Sequence, residues 1–178
     1  MKVAIIGAGN VGATLAMRVL ESGMADVALV DIFRNIAIGK AYDLLDSSSV
    51  VGHERDIIAA DQYDIIRGSD IAVITAGLAR KPGMSREDLI AKNAEVVSGA
   101  ALKIKEYAPK AIVIVVTNPL DTMTFIAKKV TGFDRRRVFG MAGVLDGSRM
   151  VYLIANELGV KRSSVRTLTH PRVSMPDG

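Results

Sequence analysis

Six residues near the N-terminus, Gly7-Ala8-Gly9-Asn10-Val11-Gly12, carry the spacing G-x-G-x-x-G. Glycines so spaced do three jobs: the first permits a tight turn, the second lets backbone approach a pyrophosphate, and the third lets a helix pack close to a sheet. The string is weak alone, and its context strengthens it. It follows an apolar run at Lys2–Ile6 and opens a segment with Val11, Leu15 and Val19 at helical spacing, Ala16 and Leu20 beside them. Such a helix turns its free N–H groups and the positive end of its dipole towards phosphates. Asp31 closes the next apolar run, 19 residues after Gly12. A carboxylate there accepts from both ribose hydroxyls of adenosine and repels a 2′-phosphate, which favours NAD over NADP. The plain alternative is a glycine turn followed by a surface aspartate, and neighbouring Arg34 leaves some tolerance for NADP.

Three further groups have chemistry in their residue types. The loop Gly77-Leu-Ala-Arg80-Lys81-Pro82-Gly83-Met84-Ser85-Arg86 holds three cations and two glycines, and guanidinium groups clamp carboxylates in a bidentate fork. Its alternative is a solvated turn in which Ser85 caps the next helix. Thr117-Asn118-Pro119 offers an amide that can donate and accept near a ribose or a substrate hydroxyl, or else a simple turn. In Leu145-Asp146-Gly147-Ser148-Arg149, Asp146 and Arg149 share one face of a helix start at i and i+3. Read blandly, that pair is a helix cap and a local ion pair.

Strands and helices alternate through the elements that must position these groups. Apolar runs predict strands at Lys2–Ile6, Val27–Val30, Asp56–Ala59, Ile71–Thr75, Ala111–Val116 and Val138–Met141. Helical patterns fall at Val11–Glu21, Ile36–Leu45, Arg86–Tyr107, Leu120–Val130 and Leu145–Leu158, with Pro109, Gly132 and Gly159 as stop signals. Repeated β-α-β spacing implies right-handed crossovers and a doubly wound, mostly parallel sheet of about six strands with helices on both faces, the Rossmann arrangement. In open sheets of this kind, ligands bind beyond the carboxyl ends of the strands, where all four groups fall. One dinucleotide-binding domain is expected over residues 1–160, followed by an atypical tail at 161–178.

The chain has 178 residues, 49% hydrophobic and only 4% aromatic, so its core must be aliphatic, as parallel sheets are. With no Cys and two His, thiolate chemistry, disulfides and Cys- or His-rich metal sites are excluded, and no metal is expected. No apolar run approaches a membrane span, and the N-terminal apolar run is too short for a signal peptide, so a cytoplasmic protein is expected. Residues 1–127 carry 13 basic and 15 acidic side chains, and residues 128–178 carry 10 and 4. The densest basic cluster, Arg135-Arg136-Arg137, has no aromatic stacking platform beside it, so a nucleic-acid partner is not expected.

Together these residues resemble the lactate/malate dehydrogenase family, with the malate branch the nearest likeness. The resemblance runs from Met1 to about Val165. It rests on Gly7–Gly12, Asp31, Ile74-Thr-Ala-Gly77, Ala79-Arg-Lys-Pro-Gly-Met-Ser-Arg86, Val116-Thr-Asn-Pro119 and Met141-Ala-Gly-Val-Leu-Asp146. It implies reversible hydride transfer between NADH and oxaloacetate, giving malate and NAD, a step of the tricarboxylic acid cycle. By resemblance, Gly7, Ala8, Gly9, Asn10, Val11, Gly12, Asp31, Asn93, Val116, Thr117 and Asn118 hold the cofactor. Arg80 binds the distal carboxylate of a small dicarboxylate substrate, and Arg86 polarises its carbonyl. Arg149 grips the carboxylate next to that carbonyl, Asn118 contacts substrate, and Asp146 orients a catalytic histidine. Lactate enzymes carry Gln at the selector position, where Arg facing an apolar substrate end would bury an unpaired charge.

Family members also associate, so a homo-oligomer is expected. The family's Gly-Gly-His-Gly-Asp motif has no counterpart here: the chain reads Thr167-Leu168-Thr169-His170-Pro171-Arg172, with His170 lying 24 residues after Asp146. His170 is therefore either the acid–base group or an ordinary tail residue, and a truncated or frame-shifted end is expected. A non-catalytic NAD-binding module is the competing functional class.

Overall fold

The computed structural model describes residues 1–79 and 82–167. Short runs of β-branched and small residues form six strands: β1 Lys2–Ile6, β2 Asp26–Val30, β3 Ile57–Ala60, β4 Ile71–Ile74, β5 Ile112–Val115 and β6 Val138–Gly140. All five pairings are parallel, in the order β3-β2-β1-β4-β5-β6. The expected mostly parallel sheet is thus wholly parallel among the described residues. The winding reverses between β1 and β4, and that switch point is where open α/β sheets leave a crevice.

Alternation along each strand feeds two cores. Val3 and Ile5 of β1 join Val27 and Leu29 of β2 on one face, while Ala4 and Ile6 join Ala28 and Val30 on the other. Helix α1 (Asn10–Glu21) covers the first face with Ala16, Val19 and Leu20, and α2 (Arg34–Val51) adds Ala37 and Ala41. Helices α3 (Arg86–Tyr107) and α4 (Leu120–Thr131) cover the second with Val97, Ala101, Ile104, Met123 and Ala127. Ile5, Ile6 and Leu29 are fully buried, and each such side chain contributes roughly 1.5–3 kcal/mol relative to exposure.

Helix α3 has the expected bounds because both ends are signed. Ser85 Oγ accepts from Asp88 N at 3.0 Å while Ser85 N donates to the Asp88 carboxylate at 3.3 Å, and Pro109 stands just beyond the last turn. Helix α2 runs to Val51, six residues past the expected Leu45, and ends on Gly52. Its polar stretch Asp46-Ser47-Ser48-Ser49 hides the helical period, and the Ser47 hydroxyl is satisfied by the Leu44 carbonyl at 2.8 Å.

The chain divides into two units, Met1–Gly140 and Met141–Gly178, a division falling inside the expected 1–160 domain. The second unit holds α5 (Val144–Glu157) and a 3-10 turn at Arg162–Ser164. Two other 3-10 turns, Tyr63–Ile66 and Arg135–Arg137, had no signal in the sequence pattern. In the second of these the arginine cluster has a structural part to play. Arg137 stacks 4.2 Å from the Phe133 ring centroid and donates to the Pro109 carbonyl at 2.9 Å. No helix of the described residues is long and apolar enough to cross a membrane.

Candidate functional site

The carboxyl ends of β1, β2, β4 and β5 lie side by side, and the loops leaving them build the site. Gly7 N donates to Val30 O at 2.7 Å, while Ile6 O accepts from Thr75 N at 2.9 Å and Ala76 N at 2.7 Å. The turn is too tight for side chains. Gly7 has φ +110°, and a Cβ there would stand 2.7 Å from Ala76 N. A Cβ on Gly12 would stand 1.8 Å from Gly7 O and 2.8 Å from Thr75 Oγ1. The first turn of α1 therefore rests directly on the Gly7 carbonyl. At Gly9 the reverse holds: a Cβ there meets nothing within 4 Å.

Gly9 caps α1 without a side-chain hydrogen bond. The exposed first turn, which includes Asn10 and Val11, therefore offers uncapped N–H donors to an anion. Asp31 stands beside it, its Oδ2 accepting from Ala8 N at 2.6 Å and its Oδ1 from Phe33 N at 2.9 Å. With one bond to each oxygen, the half-buried carboxylate keeps further lone pairs for hydroxyl donors. Burial first and the Asp31 charge second push the nearby Tyr63 phenol above its ordinary pKa. Open space at Gly9, uncapped N–H groups and a carboxylate at the end of β2 fit a dinucleotide, and nothing in this cradle opposes one.

On the β4–β5 side the polar groups are tied to each other. Thr117 is buried and its hydroxyl donates to Ala76 O at 2.7 Å, while Val116 N donates to Ile74 O at 2.9 Å. Asn93, from α3, is 1% exposed. Its Oδ1 accepts from Leu78 N at 2.7 Å and its Nδ2 donates to Asn118 O at 2.7 Å. It therefore braces the loop after β4 against the loop after β5. Asn118 itself is exposed and precedes a cis peptide bond to Pro119. Arg86, the first residue of α3, is exposed.

The second unit carries Asp146 and Arg149 at the start of α5, paired at 3.3 Å and both largely exposed. The Thr167 hydroxyl donates to Gly147 O at 3.2 Å, so the segment after α5 returns to that helix start. Arg80 and His170 lie outside the described residues. Among the described residues, no group of acidic, His or Cys side chains could hold a metal.

Two residues at the glycine loop escaped the sequence reading. The Thr75 hydroxyl is shared between Ile6 O at 3.1 Å and Gly7 O at 3.0 Å, and Lys40 Nζ donates to Ala8 O at 2.7 Å. Thr75 stood inside a recognised motif with no role of its own. Lys40 gave no local signal, because its partner is 32 residues away.

Sheet order, glycine turn and strand-end carboxylate define a dinucleotide-binding α/β domain of the doubly wound class. More particularly, the chain belongs to the lactate/malate dehydrogenase family, whose NAD binding domain matches residues 1–140. NAD is accordingly its cofactor. The chain is 52% identical over 167 residues to a malate dehydrogenase of Nostoc sp., which covers 94% of this chain and 52% of that protein. It superposes on the apo malate dehydrogenase of Picrophilus torridus with a TM-score of 0.91 at 39% identity, covering 94% of this chain and 53% of that one. A lactate dehydrogenase of Cryptosporidium parvum, complexed with lactic acid and nicotinamide adenine dinucleotide, gives 0.86 at 41% identity, covering 91% and 51%. The chain thus spans about half the length of the curated relatives it matches.

Proposed function

We propose that the chain serves an NAD-dependent malate dehydrogenase, which interconverts oxaloacetate and malate. The observation that carries this reading is the likeness to malate dehydrogenases over nearly the whole chain. NADH, when bound, supplies a hydride to the substrate's carbonyl carbon, and a proton must reach the carbonyl oxygen for the charges to balance. The residues of this chain divide that work. Gly7, Ala8, Gly9, Asn10, Val11 and Gly12 take the pyrophosphate, and Asp31 takes the adenosine ribose. Asn93, Val116 and Thr117 line the cofactor, and Asn118 reaches both its nicotinamide end and the substrate. Arg80 and Arg149 each match one carboxylate of the substrate. Arg86 stabilises the negative charge that grows on the carbonyl oxygen. Asp146 orients the group that delivers the proton, and His170 is this chain's candidate for that group. The same reading takes a small dicarboxylate as partner, a homo-oligomer as assembly and the cytoplasm as compartment.

The test is NADH oxidation with oxaloacetate and with pyruvate, in the parent chain, Arg80→Gln and His170→Ala. The expected chain binds NADH, turns over slowly and prefers oxaloacetate, and Arg80→Gln moves that preference towards pyruvate. An unchanged ratio of kcat/KM in Arg80→Gln removes Arg80 as selector. NADH binding with no turnover of either acid favours the non-catalytic module. Loss of residual turnover in His170→Ala assigns the proton transfer to His170.

A further inference from the structure

The glycine loop has three successive peptide planes, and each is held by a named group. The Ile6–Gly7 plane is held through Gly7 N on Val30 O at 2.7 Å and through Ile6 O on Ala76 N at 2.7 Å. The Gly7–Ala8 plane is held by Asp31 on its N–H at 2.6 Å and by Thr75 on its carbonyl at 3.0 Å. The Ala8–Gly9 plane is held by Lys40 Nζ on the Ala8 carbonyl at 2.7 Å. On that third plane the N–H of Gly9 has no hydrogen-bond partner among the described residues. A trans peptide points its N–H away from its C=O. Fixing the Ala8 carbonyl towards Lys40 therefore aims the Gly9 N–H to the opposite side. Gly9 is exposed, and a Cβ placed on it would meet no atom of the surrounding structure within 4 Å.

We propose that Lys40, from α2, is a positioning residue for the cofactor: it fixes the Ala8–Gly9 peptide so that the Gly9 N–H stands ready for the pyrophosphate. Lys40 is half-buried beside the loop, and its bond to a carbonyl is of the stronger, charge-assisted kind. With Asp31 on its N–H and Lys40 on its C=O, Ala8 has both backbone groups held by side chains from other elements. Binding then needs no reorientation of the loop, and that ordering cost is already met in the free protein. The inference rests on dinucleotide binding alone and is independent of which acid is the substrate.

The experiment titrates the full chain with NADH, ADP-ribose and adenosine, following fluorescence or heat, in the parent, Lys40→Met and Lys40→Arg, at low and high salt. The expected result is about a tenfold loss of affinity for NADH and ADP-ribose in Lys40→Met, as befits one charge-assisted bond. Adenosine, which has no phosphate, should bind as before. Lys40→Arg should recover most of the loss. The loss should persist at high salt, because a fixed peptide is not screened. Equal losses for adenosine and ADP-ribose, a loss under twofold, or a loss that vanishes at high salt would each overturn the proposal. The last outcome would make Lys40 only a distant attracting charge. Substrate turnover enters none of these readings, so failure here leaves the malate reading standing, and the reverse.

Discussion

The turn that opens α1 and the turn that opens α5 both begin a helix with a glycine at the N-cap, yet they are held in opposite ways. At α1, contacts come from far along the chain: Asp31, Lys40 and Thr75 converge on three peptides from sequence separations of 23 to 69 residues. At α5, Asp146 and Arg149 hold each other across one turn, and both remain largely exposed. The first arrangement is preorganised, its donors aimed before a ligand arrives. The second leaves two charged groups in water, where their mutual attraction is weak. The difference teaches that the glycine turn of the Met1–Gly140 unit is ordered by distant parts of its own chain, while Asp146 and Arg149 rest on one local, exposed contact.

The sharpest way to break the comparison is at Gly12. Gly12→Ala must displace either α1 or the Gly7 carbonyl, since a Cβ there would lie 1.8 Å from Gly7 O. We expect a loss of about 2–3 kcal/mol in urea unfolding, in the upper range for overpacking, together with loss of NADH binding. Gly9→Ala is the control: its Cβ meets no atom within 4 Å, so stability should hold while binding suffers. Equal stability for the two variants would mean that α1 does not rest on the loop.

Asp31→Ser comes next. It removes the acceptor held by Ala8 N and Phe33 N, and with it the charge that repels a 2′-phosphate. NADH affinity should fall about tenfold while NADPH affinity rises. If the parent chain binds both cofactors equally, Asp31 does not discriminate between them.

How much of this could be read from the sequence follows from the range of each interaction. The glycine spacing, Asp31 and the bounds of α3 are local signals, and each appears in the structure where it was expected. The Gly12–Gly7 contact is also local, but its geometry shows the third glycine resting on the turn itself rather than only on the sheet. Lys40 and Thr75 were invisible because nothing beside them in the sequence speaks of a glycine loop 32 or 68 residues away. Asn93 was read as a cofactor contact by resemblance. The structure shows what sequence could not, that its amide spans two loops from a buried position. The end of α2 lies beyond the expected bound because Asp46-Ser47-Ser48-Ser49 is polar and leaves no apolar period to follow, while Ser47 satisfies its hydroxyl on the Leu44 carbonyl.

Between the extremes stands the start of α3, held by a reciprocal local cap. Ser85→Ala should cost about 1 kcal/mol, read by chemical unfolding. The Ser85 hydroxyl first and the Ser85 backbone N–H second hold the Asp88 carboxyl below its ordinary pKa. A depressed carboxylate contributes stability above its unfolded pKa, and that contribution is lost as pH falls through the lower folded value. The gap between parent and Ser85→Ala should therefore be full at neutral pH and narrow on acidification below about pH 4. A gap that widens in acid would contradict the cap.

The smallest effect belongs to α5. Asp146→Asn removes an ion pair whose two side chains are 75% and 67% exposed, with the nearest approach at 3.3 Å. Pairs of this kind contribute little, because water already solvates both charges and ordering two long side chains offsets the attraction. Unfolding should change by less than about 0.5 kcal/mol, and what change there is should fade in high salt. In an enzyme active on oxaloacetate, the same substitution should depress kcat strongly, since Asp146 is proposed to act through the proton-transfer group. A stability loss well above about 1 kcal/mol would show that the pair is desolvated and structural. The α5 turn would then be preorganised as the α1 turn is, and the contrast between them would fall.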